Sequence, residues 1–307
     1  MKILPSVTIG IPVYNEEKFV AETIFSAINQ SYHNLKIVIS DNCSTDNTFE
    51  EIKKVIANHD NVSVIRQEKN IGLPSNFNYL SQNANTDFFC WLSGHDLLHR
   101  DFIAAAVRVF LENPGLSLVY PKSEQIDEKG KFRNIEAHDR IDTTTLDFVQ
   151  GPLKVARTVD HGTPIHGLWN TSILKEYKYK PFAGSDLNLL YHASISGKIF
   201  ELPDVYHFLR IVREETPAEG YKRNSEFGLQ AKYANPNTEM CEEYLRYTLF
   251  SKKVKLVPKI KLLRELTAIL EMKYNYVHLI TRLFSIKERI KYKIEHKFRR
   301  SRSTTGH

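Results

Sequence analysis

Apolar residues early in the chain fall in short runs separated by polar, turn-forming clusters. "SVTIGIPVY" (6–14), "LKIVIS" (35–40), "NVSVIRQ" (61–67), "TDFFCWLS" (86–93) and "LSLVYPKSEQID" (116–127) have the length and β-branched or aromatic content of strands. Between them, "EEKFVAETIFSAINQ", "FEEIKKVIANH" and "DFIAAAVRVFLENP" read as helices, the first with helical spacing at Phe19, Val20, Thr23, Ile24 and Ala27. Asn113 and Pro114 stop the last of these helices. "NIGLPSN" (70–76) predicts a loop and "FNYLSQNA" (77–84) a helix. Strands and helices alternating at these lengths predict an α/β fold, a mostly parallel, doubly wound sheet with helices on both faces. After about Asp127 the alternation stops, and loops, short helices and isolated strand-like pieces such as "KIFELP" run to about residue 220. From about Val254 the pattern is helical and basic. The expected divisions are therefore 1–127, 128–220 and a C-terminal helical extension over 221–307.

Composition narrows the class. With 307 residues, 42% of them hydrophobic, the chain can bury a full core. Cys43, Cys90 and Cys241 have no metal-ligand spacing and form no disulfide framework, which suits a reducing compartment. The opening "MKILPSVTIG" enters a strand with no secretory apolar region, and no apolar run reaches the roughly 18 residues of a membrane span. The net charge of +6 conceals an asymmetry: Ser251–His307 hold 16 Lys and Arg against 4 Asp and Glu, leaving 26 basic and 32 acidic residues before them. An acidic body with a basic tail makes charge a clue to partners.

In open α/β sheets ligands bind beyond the carboxyl ends of the strands. Tyr14, Asn15 and Glu16 follow the first strand, and Asp41, Asn42 and Asp46 follow the second. Asn70 and Gly72 follow the third, and His95 and Asp96 follow the fourth. Each set alone is ordinary turn chemistry. Four sets on one face point to a ligand.

These segments resemble a known family. "VTIGIPVYNEEKFVAETIFSAINQSYHNLKIVISDNCSTDNT", with "NIGLPSNFN", "FCWLSGHD" and "PFAGSDLNLLYHAS", is similar to a family 2 glycosyltransferase of the GT-A fold, over roughly the first 210 residues. The resemblance implies inverting transfer of a sugar from a nucleotide diphosphate donor, with a divalent metal, Mn²⁺ or Mg²⁺. It makes 1–127 the nucleotide-sugar-binding half and 128–220 the acceptor-binding and catalytic half. Pro12, Tyr14, Asn15 and Glu16 match the loop around the nucleobase, and Asp41 matches the acid that accepts from the base N–H. A carboxylate only accepts, so Asp41 favours uracil or thymine. Asn70 and Gly72 match the loop beside the donor. Where many relatives carry a basic residue shortly afterwards, this chain offers Asn76 or Asn78. Asp46 is expected to cap the helix that follows it.

"SGHD" takes the place of the family's DxD motif. Ser93 and Gly94 replace the earlier acids, His95 contributes to the donor site, and Asp96 remains as the implied metal ligand. In "PFAGSDLNLLYHA", Ser185 replaces one acid, and Asp186 matches the base that deprotonates the acceptor hydroxyl. A plain helix cap is the structural alternative for Asp186. "YHFLRIVREET" brings His207, Arg210 and Arg213 to a loop that folds over the diphosphate in relatives, where Arg210 and Arg213 would stabilise the leaving charge. A basic surface loop is the alternative there. His161, His166 and Trp169 lie in the acceptor-facing part, with Trp169 expected in the core and no zinc spacing around the histidines.

The expectation is an enzyme using a UDP- or dTDP-sugar and a glycan or lipid-linked acceptor in bacterial surface-polysaccharide synthesis. A nucleotide-sugar-binding protein without transferase activity is the main rival. A nucleotidyltransferase lacks support, because "PVYNEEKF" is acidic where that class needs a Gly-rich basic loop. Nucleic acid is not expected as a partner. In the tail, Leu262, Leu266, Leu270 and Tyr274 recur every fourth residue, and Val277 to Ile290 continue an apolar stripe amid lysines. The early half is expected to dock on the body. The late half is expected to hold the enzyme peripherally on the anionic, cytoplasmic face of a membrane.

Overall fold

A computed structural model describes residues 4–135, 139–212 and 237–274. Strands β1 (Val7–Val13), β2 (Leu35–Asp41), β3 (Val62–Arg66) and β4 (Phe88–Trp91) lie parallel in the order β3-β2-β1-β4. All seven residues of β1 are buried, as a strand covered on both faces requires. Pro12 is tolerated in this central strand because β4 pairing ends at Gly10–Trp91, so no β4 ladder is broken beyond it. The helices α1 (Val20–Ile28), α2 (Thr48–Ile56), α3 (Leu73–Asn83) and α4 (Phe102–Glu112) follow the expected alternation.

Helix α3 starts inside the segment expected to be a loop. Gly72, at φ 81°, precedes it, and Pro74 sits in its first turn, where a missing N–H costs no helical bond. A punctuating Gly-x-Pro thus opens this helix rather than interrupting the chain.

The fifth strand does not extend the parallel set directly. The short strand β8 (Leu168–Asn170) pairs antiparallel with both β4 and β6 (Leu116–Ile126) and separates them. On its other side β6 pairs in parallel with β9 (Lys198–Arg210), whose far end takes the two-residue β5 (Leu97–Leu98). β7 (Phe132–Ile135) pairs with β6. The expected boundary near 127 therefore divides one sheet, because β6 and β9 lie on either side of it in sequence.

Each sheet face has its own apolar core. Val20, Ile24, Ile52, Phe102 and Ile103 from α1, α2 and α4 pack on one. On the other, Phe77 and Leu80 of α3 and the tryptophans Trp91 and Trp169 meet α5 (Gln150–Thr158) and α7 (Ser185–Ser196). The short α6 (Thr171–Leu174) joins β8 to the segment before α7. Helices α8 (Asn237–Phe250) and α9 (Leu256–Tyr274) belong to the same core, with Leu262, Leu266 and Leu270 fully buried. The early half of the tail docks, as its fourth-residue spacing predicts. Val277 to Ile290 and the rest of the tail lie outside the described residues.

Candidate active site

Parallel register brings Val13 beside Asp41, so the loops after β1 and β2 leave the sheet together. Asn15, in the left-handed region at φ 57°, bonds them: its N–H donates to Ser44 Oγ at 3.0 Å, and its Oδ1 accepts from Thr45 N at 2.8 Å. Asn47, not Asp46, is the N-cap of α2; Asp46, one residue before it, accepts from the N–H of Thr48 at 3.0 Å. Asn42 ties in the third loop, donating to Asn70 Oδ1 and accepting from Ile71 N, both at 2.9 Å. Asn70 Oδ1 also accepts from Gly72 N. Asn15 and Asn70 thus build the rim of the site.

The rim borders an open cleft whose walls include Pro12, Tyr14, Glu16, Asn42, Asn76 and His95. Asn76 keeps its amide for β2, accepting from Ser40 Oγ at 2.6 Å and donating to Ser40 O at 3.0 Å. Asn78 holds Tyr179 through two backbone bonds of 2.7 and 2.8 Å. Each asparagine thus commits its carbonyl and one N–H to protein partners, and Asn76 also lines the cleft.

Asp41 has no exposed side-chain surface. Its Oδ1 accepts from Ser44 N at 3.0 Å. Its Oδ2 lies 3.2 Å from Arg66 Nε but accepts no hydrogen bond. Asp41 is not among the residues lining the cleft, and the Arg66 guanidinium stands beside its Oδ2.

The "SGHD" turn closes with Asp96 N donating to Ser93 O at 3.1 Å. Gly94 is held against the first loop so closely that a Cβ would lie 2.8 Å from Val13 Cγ1 and 2.9 Å from Glu16 Cγ. A side chain at this position would require Val13 or Glu16 to move. His95 Nδ1 lies 2.8 Å from Glu16 Oε1. Burial opposes charge on His95, but the Glu16 bond and the carboxylates of Asp96 and Glu16 outweigh it and hold the imidazole up at about 9.

Asp96 is fully buried. Its Oδ1 accepts from Arg210 N at 2.9 Å, and its Oδ2 lies 3.3 Å from His207 Nε2. Burial alone would raise this carboxyl, yet the bond and charge of His207, with His95, hold it well below the usual carboxylate range. His207 belongs to β9, not to a loop, and its Nδ1 lies 2.9 Å from Ser123 Oγ. His166 stacks on His207 at 5.0 Å and bonds Trp91 O, and burial followed by the His207 charge pushes it down to about 4.

Arg210 departs from the expectation of a diphosphate contact. Its Nε donates to His95 O at 2.8 Å, its Nη1 to Glu128 O at 2.7 Å, and its Nη2 to Glu22 Oε2 at 2.6 Å, while the guanidinium covers the Phe19 ring at 5.0 Å. The guanidinium is committed to protein partners and locks "SGHD" to α1. Arg213 lies outside the described residues.

Among the described residues no three His, Cys, Asp or Glu side chains cluster as a complete metal cage. Asp96 and His207 nevertheless suit a shared cation. Here the His207 Nε2–H bonds the Asp96 carboxylate; were a cation to replace that proton, the freed Nε2 lone pair and Asp96 Oδ2, 3.3 Å apart, would be two adjacent donors to it. One carboxylate and one imidazole, completed by oxygens from elsewhere, form a donor set for Mn²⁺ or Mg²⁺. The sequence showed His207 but could not pair it with a residue 111 positions away.

Asp186 stands in the first turn of α7, behind Gly184 at φ 82°. Ser185, in place of the other acid, accepts from Lys180 N at 2.7 Å and shapes the turn. Asp186 Oδ1 accepts from Leu187 N at 3.0 Å. Burial pushes its carboxyl up to about 6, two backbone bonds pull against that, and the Asp139 charge adds to the rise. Asp186 does not line the cleft directly. The Tyr179 ring packs at 5.6 Å on Phe77, which does line it, so the segment leading to α7 is fastened to the cleft wall. Trp169 is buried, its indole N–H donating to Ile165 O at 2.8 Å, and is a core residue as expected. His161 is exposed.

The family model described as glycosyl transferase family 2 matches residues 8–167. Chondroitin synthase of Escherichia coli is 32% identical over 132 residues, 43% of this chain and 19% of that protein. A dolichyl N-acetyl-alpha-D-glucosaminyl phosphate 3-beta-D-2,3-diacetamido-2,3-dideoxy-beta-D-glucuronosyltransferase of Methanococcus voltae is 27% identical over 212 residues, 65% of each chain. The matches thus span less than two thirds of either relative. Among solved structures, Staphylococcus aureus TarS 1–349 in complex with UDP-GlcNAc superposes with a TM-score of 0.66 at 17% identity, covering 90% of this chain and 77% of that one. Mannosyltransferase PcManGT of Pyrobaculum calidifontis, in complex with GDP-Man and Mn²⁺, gives a TM-score of 0.53 at 15% identity, covering 94% and 81%. At these identities the likeness is one of fold.

Proposed function

Because the chain belongs to glycosyl transferase family 2, whose model matches residues 8–167, we propose that it transfers a sugar with inversion from a UDP- or dTDP-sugar to a hydroxyl of a glycan or lipid-linked acceptor. The fold is GT-A, a curled, mostly parallel sheet. The observation that carries the activity is Asp186, a carboxyl raised to about 6 on the segment that Tyr179 and Phe77 fasten to the cleft wall, a basicity suited to a general base at neutral pH. Asp186 takes the proton of the acceptor hydroxyl as that oxygen bonds to the anomeric carbon. The bond from that carbon to the diphosphate oxygen breaks on the opposite face, and the diphosphate leaves with the electron pair. Asp41 Oδ2 accepts the imide N–H of the base, and Tyr14 packs on its ring. Asp96 and His207 would hold a Mn²⁺ or Mg²⁺ ion, which supplies positive charge to the leaving diphosphate. Arg210 positions the "SGHD" turn.

Location belongs to the same proposal: reversible attachment to the anionic, cytoplasmic face of a membrane during surface-polysaccharide assembly. Its support is the outward side of α9 together with the turn before it and the end of α8. Phe250, Leu256, Val257 and Ile260 are exposed there beside the exposed Lys252, Lys255, Lys261 and Arg264. No helix among the described residues is long and apolar enough to cross a membrane.

A thermal-shift screen of nucleotide sugars, with and without Mn²⁺, tests the donor assignment. UDP- and dTDP-sugars should raise Tm, more so with Mn²⁺, and GDP-sugars should not. Asp41→Ala should weaken UDP binding by about ten- to a hundredfold, the range of a hydrogen bond to a charged group. Equal shifts by all nucleotides, or no effect of Asp41→Ala, would remove the base contact.

A further inference from the structure

Behind Asp186 lies a turn, residues 159–162, held from both sides. From α9, Lys273 Nζ reaches the C-terminal end of α5, donating to Val159 O at 2.7 Å and Arg157 O at 3.2 Å. It also pairs with Asp160 Oδ1 at 2.8 Å. This is a lysine cap on a helix end, contributed by another helix. From the opposite side, the buried Asp139 carboxylate takes three successive backbone N–H groups: Asp160 at 2.7 Å, His161 at 3.0 Å and Gly162 at 2.8 Å. The turn delivers Gly162, at φ 73°, directly against Asp186. A Cβ there would overlap Asp186 Oδ2, so the glycine backbone occupies the space that water or a side chain would otherwise take.

We propose that Lys273 and Asp139 are positioning residues for Asp186, clamping the 159–162 turn so that Gly162 walls off one side of its carboxylate. The docked C-terminal helix thereby helps to shape the site. With the turn in place, one side of the partly buried Asp186 is shielded from water and it retains its proton to higher pH; with the turn loose, water reaches that side too. The other ionisable groups around Asp186 are the phenols of Tyr177 and Tyr179 before α7 and Tyr244 of α8, with Asp139 behind the turn. All three phenols are raised, so they stay neutral through the range in which Asp186 titrates.

The sign of one effect separates positioning from simple charge. Removing a cation near a carboxylate raises that carboxyl by Coulomb's law. Loosening the wall lowers it. Lys273→Met should therefore lower the titration midpoint of Asp186 only if the lysine acts through the turn. Asp139→Asn should lower it too, but there both effects agree.

The test is a carboxyl ¹³C NMR titration of the full chain, with the Asp186 signal assigned by its loss in Asp186→Asn. The midpoint should lie near 6 in the unsubstituted chain. It should fall by about one pH unit in Lys273→Met and be restored in Lys273→Arg. If Lys273→Met does not fold, Lys273→Gln is the substitute, with a smaller fall expected. An unchanged or raised midpoint in the lysine variant, or a midpoint near 4 in the unsubstituted chain, overturns the proposal. Its importance for turnover rests on Asp186 being the base, but the titration does not. Normal turnover in Asp186→Asn would end the base assignment and leave the titration result standing.

Discussion

Asp186 carries two opposite consequences. As the proposed base it is indispensable to turnover, so Asp186→Asn should lower kcat by at least about a hundredfold while donor affinity stays within about twofold. As a carboxyl raised to about 6, it costs stability when ionised. Its contribution is fully present below the ordinary carboxylate range and is lost as pH rises through about 6. Asparagine stays neutral throughout. Thermal unfolding should find Asp186→Asn as stable as the parent near pH 4 and about 1–2 kcal/mol more stable at pH 8, after allowing for partial solvent screening. Equal stability at both pH values would show an ordinary, solvated carboxylate. At this scale the sequence reveals residue types at strand ends: Tyr14, Glu16 and His95 line the cleft, and Asn70 closes its rim. It does not reveal how donors are used. Arg210 reads as a free cation because Glu22 and Glu128, which engage it, are 188 and 82 residues away. Asp139 gives no signal, because its three partners form a turn only in the folded chain.

Elements were legible where their period had room to repeat. The strands β1 to β4 and the helices between them follow the apolar pattern, and the stripe through Leu262, Leu266 and Leu270 correctly marks a buried face of α9. β8 was not legible, because three residues cannot display a period of two. Yet β8 decides the topology, since it separates β6 from β4 and turns the second half of the sheet. The start of α3 was missed because Pro74 reads as a breaker although it occupies a first-turn position. Helix α9 also changes status at this scale, from an appended tail to part of the core shared with Trp91 and Trp169. Leu266→Ala should therefore destabilise the whole domain by about 2–5 kcal/mol, as for a fully buried leucine. Denaturant unfolding should show one transition moved to lower midpoint. A separate early transition with the main one unmoved would make α9 an independent appendage.

For the whole molecule, the sequence joins an acidic body to a basic C-terminal tail. The described part of α9 adds geometry to that asymmetry. Its inner side holds Leu262, Leu266 and Leu270 in the core, while Val257, Ile260, Lys261 and Arg264 face outward. A helix so docked presents apolar and cationic groups together without having to detach. Each cation that reaches an anionic bilayer contributes about 1 kcal/mol, a force that salt screens within a Debye length. Binding should thus require anionic lipid, weaken as salt is raised, and not depend on donor. Co-sedimentation with vesicles containing phosphatidylserine or phosphatidylglycerol should pellet the full chain, and phosphatidylcholine vesicles should not. Val257→Glu with Ile260→Glu should reduce binding through the docked face, and deletion from about Phe284 should reduce it through the tail. If the truncated chain binds as well as the full one while the double substitution abolishes binding, the docked face is the anchor and the tail is dispensable. If the full chain stays in the supernatant with anionic vesicles at low salt, attachment to the membrane surface is refuted.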